Sequence, residues 1–158
     1  MTEINYSLWE VPPKPQRKIH NVGYSSTYIT NEEKATLSYK LWKKMINKCY
    51  SPSDSVREKH NGNFVEVCNK WLDYRNFEKW FNSNYKVVHS ESMTITRCII
   101  SNDNLMYNPN NCAVVPTKID TYLKSGIHDI NKAKMLAEKY RDCITDDVYE
   151  ILTEDIYG

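Results

Sequence analysis

The stretch from Met93 to Pro116 narrows the possible folds more than any other part of the chain. Thr94 to Ile100 is β-branched apart from Arg97 and Cys98, a composition that suits a strand. Two polar clusters follow, Ser101 to Asn104 and Tyr107-Asn108-Pro109-Asn110-Asn111, and both read as turns. Cys112 to Val115 is a short apolar run, which Pro116 closes. The expectation is a two-stranded ribbon with an ordered loop, a common way to hold polar groups over a ligand.

Helical patterns surround this ribbon, so the expected class is α+β, a single small domain with the ribbon packed among several helices. Thr30-Asn-Glu-Glu33 is a capping-box pattern. The helix expected after it runs from Ala35 to Tyr50. Leu37, Leu41, Trp42, Met45, Ile46 and Cys49 share one face. Lys40, Lys44 and Lys48 stand four apart on another face. Such a stripe suits phosphates along a groove, and it equally suits a plain solvated face. Ser53 to Asn63 reads as a polar loop and Phe64 to Cys68 as a short strand. Asp73 can cap a helix over Tyr74 to Asn84, with Phe77, Trp80 and Phe81 on one side. A short helix is expected over Thr117 to Leu123. Asp129 or Asn131 can cap a further helix carrying Ala133, Leu136, Ala137 and Tyr140. Thr145 can cap a last one, carrying Val148, Ile151 and Leu152.

The chain divides into an extended N-terminal arm over 1–20, a central domain over 21–124 and a helical extension over 125–158. Val11-Pro-Pro-Lys-Pro-Gln-Arg-Lys18 holds three prolines and excludes helix there. It suits an arm along phosphate or a strap over the core using Leu8 and Trp9. No internal repeat is visible. No apolar run reaches transmembrane length, and the N-terminus lacks a signal-peptide pattern. A cytoplasmic setting without a membrane partner is therefore expected. Five cysteines without a secretion signal suit reduced thiols.

The net charge of +1 is not that of a strongly basic nucleic-acid binder, but it is unevenly spread. Residues 1–59 hold ten basic and six acidic side chains, and residues 125–158 hold four and eight. A basic front can face an anionic partner.

Several ordered motifs carry a family resemblance. Tyr107-Asn-Pro-Asn-Asn-Cys-Ala-Val-Val-Pro116 resembles the Tyr-Ser-Pro-x-x-Cys-x-Phe-Val-Pro signature of phage-encoded HNH-type (His-Me finger) endonuclease-like proteins, relatives of homing endonucleases. Asn21-Val-Gly-Tyr24, Leu41-Trp-Lys-Lys-Met45, Lys48-Cys-Tyr50, Val67-Cys-Asn-Lys-Trp71 and Asn76-Phe-Glu-Lys-Trp80 resemble further pieces of that family, in order, over about residues 21–123. The resemblance implies a ββα-metal ribbon whose helix follows Pro116. It also implies a phage-encoded protein in host cytoplasm and DNA as partner.

In the family an Asp-Lys-Asp triplet stands just upstream of the signature, and it falls here on Thr96, Arg97 and Cys98. The metal-binding carboxylate position is then Thr96, the general-base position Arg97 and the Asn ligand position Asn111. Only Asn111 is of the right type to hold Mg²⁺ or Mn²⁺. Thr96 is a poor ligand for a hard cation. Arg97 stays protonated and cannot accept a proton, but it can bind a phosphate oxygen. His89, just before the ribbon, is the first candidate to rescue a catalytic role, followed by Asp103, Glu91 and His60.

Zinc is not expected. Cys49, His60, Cys68 and Cys112 are suitable ligand types, but their separations are irregular and there is no Cys-x-x-Cys. Tyr39, Tyr50, Tyr74, Tyr85 and Tyr107 are of a type that stacks on unpaired bases, or equally that packs at a core edge. The preferred expectation is a nucleic-acid-binding protein with an HNH-like fold and impaired or absent cleavage. Lys40, Lys44, Lys48 and Arg97 would contact phosphates. The alternatives are an active metal-dependent endonuclease with a rearranged site, and a phage protein that binds and blocks a host protein through its acidic tail.

Overall fold

Two helices follow in close succession near the start of the described residues because two threonines cap them separately. The computed structural model describes residues 18–86, 90–101 and 103–154. The expected N-terminal arm therefore falls almost wholly outside the described residues, and so does His89. Thr30 and Glu33 form the expected capping box, but it opens a single turn, α1 (Asn31–Lys34). Thr36 then caps α2 (Leu37–Tyr50) through a bond from Tyr39 N. The helix expected over Ala35–Tyr50 thus begins two residues later, at Leu37, and the capping box belongs to a separate turn before it. A second β-region threonine offers the backbone a cap instead of another helical turn.

α2 buries Leu41, Trp42, Met45, Ile46 and Cys49. Beyond it lie β1 (Lys59–His60), β2 (Asn63–Phe64), β3 (Glu66–Val67), a 3-10 turn (Asn69–Leu72) and α3 (Tyr74–Asn84). Asp73 caps α3 as expected, accepting from Arg75 N at 3.1 Å. The same oxygen accepts from Ser26 N at 2.9 Å and pins the segment before α1. Arg75 adds a clamp, donating to Glu33 Oε2 at 2.5 Å and Glu78 Oε1 at 3.1 Å. The Arg75 guanidinium holds the Glu33 carboxyl down to about 2.

α2 and α3 enclose an aromatic core. Trp42 and Trp71 are each 1% exposed, and the Trp42 indole donates to Trp71 O at 2.7 Å. Trp71 packs on Trp80 with centroids 4.6 Å apart and meets Phe77 edge-on at 5.1 Å. Burying each such ring contributes about 2–3 kcal/mol. Tyr24 stitches the early segment to this core, donating N–H to Leu72 O and accepting from Tyr74 N. Gly23 beside it has no room for a side chain. A Cβ there would stand 3.1 Å from Ile46 Cγ2 and 3.2 Å from Trp42 Cη2.

The ribbon forms, shorter than its composition suggests. β4 (Met93–Thr96) pairs antiparallel with β6 (Ala113–Pro116), Thr96 opposite Ala113 and Met93 opposite Pro116. Arg97 to Ile100 leaves the ladder. Between them, β5 (Met106–Tyr107) pairs parallel with β3, a pairing that local pattern does not announce. α4 (Thr117–Lys124) follows β6 directly and packs on β4 and β6, which completes a ββα unit. α5 (Ile130–Lys139) and α6 (Asp146–Thr153) pack against each other, capped by Asp129 and Thr145. The result is an α+β domain of short strands among helices. Among the described residues, no helix is long and apolar enough to cross a membrane.

Candidate functional site

The ribbon end and the C-terminal end of α2 meet at one buried carboxylate. Glu58 N–H donates to Lys48 O at 2.6 Å and its carbonyl accepts from Val65 N at 3.1 Å, so its backbone is fixed on both sides. Its Oε1 accepts from the Tyr107 hydroxyl at 2.8 Å, and its Oε2 accepts from Arg97 Nε. Lys48 Nζ stands 3.7 Å from Oε1. Arg97 Nη1 also donates to Asn104 O at 2.5 Å, while Asn104 Nδ2 returns a bond to Arg97 O. These partners come from α2, β5 and separate loops, which is why the site has no local signature.

Arg97 is 5% exposed and Glu58 is mostly buried. Burial alone would raise the Glu58 pKa, but the bonds from Arg97 and Tyr107 outweigh it and hold the carboxyl below its usual range. Burial beside this anion pushes the Tyr107 hydroxyl far up, so it stays a donor. Arg97 is therefore committed inward, to a carboxylate and a carbonyl, rather than facing a phosphate. Glu58 read as one more charge in a polar loop, and no residue near it in sequence marks it as buried.

Thr96 is fully buried, and its Oγ1 accepts from Cys98 N at 3.2 Å. Asn111 lies in the turn before β6, where its side-chain amide donates to Met106 O at 3.1 Å. Its own N–H donates to Asn108 Oδ1 at 2.8 Å. Thr96 and Asn111 lie at the same end of the ribbon, but Thr96 has Ala113 as its ladder partner. This pair does not fit a hard divalent cation, which takes charged oxygens. Among the other candidates, His60 and Asp103 meet each other at 3.0 Å. Glu91 lies near Cys143 instead. Among the described residues, no three or more His, Cys, Asp or Glu side chains form a group that could hold a metal ion, so Cys49, His60, Cys68 and Cys112 do not assemble into one. Burial raises the Cys49 thiol to about 12 and lifts Cys98 and Cys112 as well, which keeps them inert.

The lysines are arranged differently. Lys40 and Lys44 are exposed on α2, and Lys48 is half-buried at its end. Burial and the neighbouring charges of Lys124 and Lys44 pull the Lys48 pKa down, against the opposite pull of Glu58 and Asp120. Lys124 of α4 pairs with Asp120 at 3.0 Å. Lys48 thus feels the charge of Lys44 on its own helix and of Lys124 across the seam between α2 and the ββα unit. The seam holds only a crevice of about 10 Å³, lined by Leu41, Met45, Thr94, Ile95 and Tyr107 with Lys44 and Lys48. That is room for one water at most. A ligand here would have to lie across the surface.

The candidate stacking tyrosines are occupied. Tyr74 bonds Ser38 at 2.8 Å, Tyr107 bonds Glu58, and Tyr50 accepts from Val67 N at 3.0 Å. Tyr39 packs on Trp42 and Tyr74, and Tyr85 stacks on Phe81. Residues 59–63, expected as loop, instead form a tight hairpin with Phe64 around Asn61–Gly62. The Asn-Gly dipeptide is the signal that marks it. No family model, curated protein or solved structure matches the chain.

Proposed function

We propose that the protein binds nucleic acid through the exposed lysine face of α2 and does not cleave it efficiently. The observation that carries this reading is the row of Lys40, Lys44 and Lys48 four apart on α2, with Lys40 and Lys44 exposed and with Lys48 near enough to Lys124 of α4 to feel its charge. Four residues of helix rise about 6 Å. The row thus places cations at a spacing that suits successive phosphates of one strand. A row of like charges is stabilised by an arriving polyanion, and each contact releases condensed counterions. Arg97 contributes from within, as the counter-charge that keeps Glu58 from opposing the row.

The impaired-cleavage part rests on chemistry. The general-base position carries Arg97, which stays charged and is engaged by Glu58. The metal-ligand position carries Thr96, which is buried and uncharged. Neither activates water. Gel shifts on duplex and single-stranded DNA, run with Mg²⁺, with Mn²⁺ and with EDTA, test the reading. A shift without cleavage is the expected result. Metal-dependent cleavage would instead establish an endonuclease with a rearranged site. No shift in any condition would leave the binding of a host protein as the better account.

A further inference from the structure

Phe64 is a large apolar ring held outside the core between two cations. It lies at the base of the β1–β2 hairpin and is 38% exposed. The hairpin turn is Asn61–Gly62, with φ of 50° and 79°. Two successive left-handed residues make the tight turn that matches strand twist, so the hairpin is stiff. Lys59 is the direct cross-strand partner of Phe64. Its Nζ stands 4.9 Å from the ring centroid. Arg57, two residues earlier, places its guanidinium carbon 3.7 Å from the same centroid. That guanidinium is anchored, because Arg57 Nε donates to Cys49 O at 2.8 Å. His60 points to the other side of the strand and bonds Asp103 at 3.0 Å, tying the hairpin to the ribbon loop. The hairpin is joined to the end of the lysine row by the bond from Glu58 N to Lys48 O.

A partly exposed ring with an arginine plane and a lysine ammonium over it offers stacking surface and positive charge together, which suits a partner that is flat, aromatic and anionic. Nucleotides combine those properties. A base stacks on an aromatic ring or a guanidinium plane, and a neighbouring phosphate takes the ammonium charge. Within a duplex the base faces are already stacked on one another, so beyond the two end pairs it is unpaired nucleotides that can use such a surface. We propose that the β1–β2 hairpin is a stacking platform for an unpaired base, which gives the protein a preference for single-stranded over duplex nucleic acid. The proposal rests on the lysine-row reading above and names its substrate class.

The platform is tested by fluorescence anisotropy of the full chain with two labelled probes, a short single-stranded oligothymidine and a blunt duplex. Wild type is expected to bind the single strand about tenfold more tightly. Phe64→Leu keeps an apolar side chain but removes the π-face. It should bring single-strand affinity down to the duplex level and leave the duplex unchanged. Phe64→Trp, which keeps and enlarges the ring, should hold or improve the preference. Lys44→Ala should weaken both probes alike. Equal effects of Phe64→Leu on the two probes, no effect on either, or a wild-type preference for duplex would each overturn the platform. If Lys44→Ala weakens both probes while Phe64→Leu weakens neither, only the platform falls. If wild type binds neither probe, the lysine-row reading falls with it. A 2-aminopurine base in the single strand gives a direct readout, since stacking on Phe64 quenches it and Phe64→Leu should restore its emission.

Discussion

Glu58 and Arg97, 39 positions apart in the chain, form an ion pair that joins the end of α2 to the ribbon. Removing one partner of such a pair leaves the other charge buried and unmatched. Arg97→Met is expected to lower stability by about 3 kcal/mol in urea denaturation. The double variant Glu58→Gln with Arg97→Met should recover part of that loss, because no lone charge is left. Strictly additive losses would mean that the two side chains do not depend on each other.

The same carboxylate sets part of the acid limb of stability. Its folded pKa lies below the ordinary glutamate value of about 4.3, so its contribution is complete above that value. The contribution is lost as pH falls through the depressed folded pKa. The stability gap between wild type and Glu58→Gln should thus be widest at neutral pH and narrow below about pH 4. Denaturation midpoints followed from neutral to acidic pH check this. A constant gap would place the acid limb elsewhere, with Glu33 the next carboxylate to examine.

Thr96 tests whether a carboxylate fits at the position where the family resemblance would place one. The side chain is fully buried, with its hydroxyl accepting from Cys98 N. Thr96→Asp should cost about 3 kcal/mol or more, since the charge gains no partner there. Thr96→Val should cost about 1 kcal/mol for the lost bond. Consequently Thr96→Asp with Arg97→His is expected to unfold at lower temperature rather than to gain nicking. Mg²⁺-dependent nicking by a stable double variant would show that the ribbon accommodates the ligands that the family resemblance implies.

Gly23→Ala should destabilise by about 1–3 kcal/mol, because the new methyl meets Ile46 and Trp42, both buried and closely packed. A thermal melt reads this directly. An unchanged midpoint would show that the segment before α1 lifts away at little cost.

The lysine row makes a prediction of slope rather than affinity. Lys40→Ala and Lys44→Ala should each reduce the dependence of log K on log salt by about one, on any probe sequence. An unchanged slope in the pair of substitutions would mark the row as an ordinary solvated face.

What could be read in the sequence was local. Asp73, Asp129 and Thr145 were legible as caps because a cap is decided within three residues. The buried face of α2 was legible because helical period exposes it. Thr36 was not, since a threonine inside an apolar period looks like an interruption to be tolerated. The ribbon and the helix after Pro116 were anticipated, but its ladder stops at Thr96, where Arg97 turns inward to a carboxylate from another part of the chain. Glu58 itself was illegible: its burial is decided by Tyr107 and Arg97, and neither is near it in sequence. Phe64 lies in a strand as its composition suggests, and the Asn61–Gly62 turn that pairs it with Lys59 is also written in the residues.

The parallel pairing of β3 with β5 also governs the order in which the chain organises itself. The β1–β2 hairpin closes over two residues, an event of about 1–10 μs. β3 and β5 have α3 and β4 between them, so their meeting requires a much longer loop to close before any ladder bond rewards it. Tyr107 travels with β5. The hydroxyl that helps hold Glu58 ionised therefore arrives with one of the chain's least local contacts, and until then the carboxylate lacks one of its two donors.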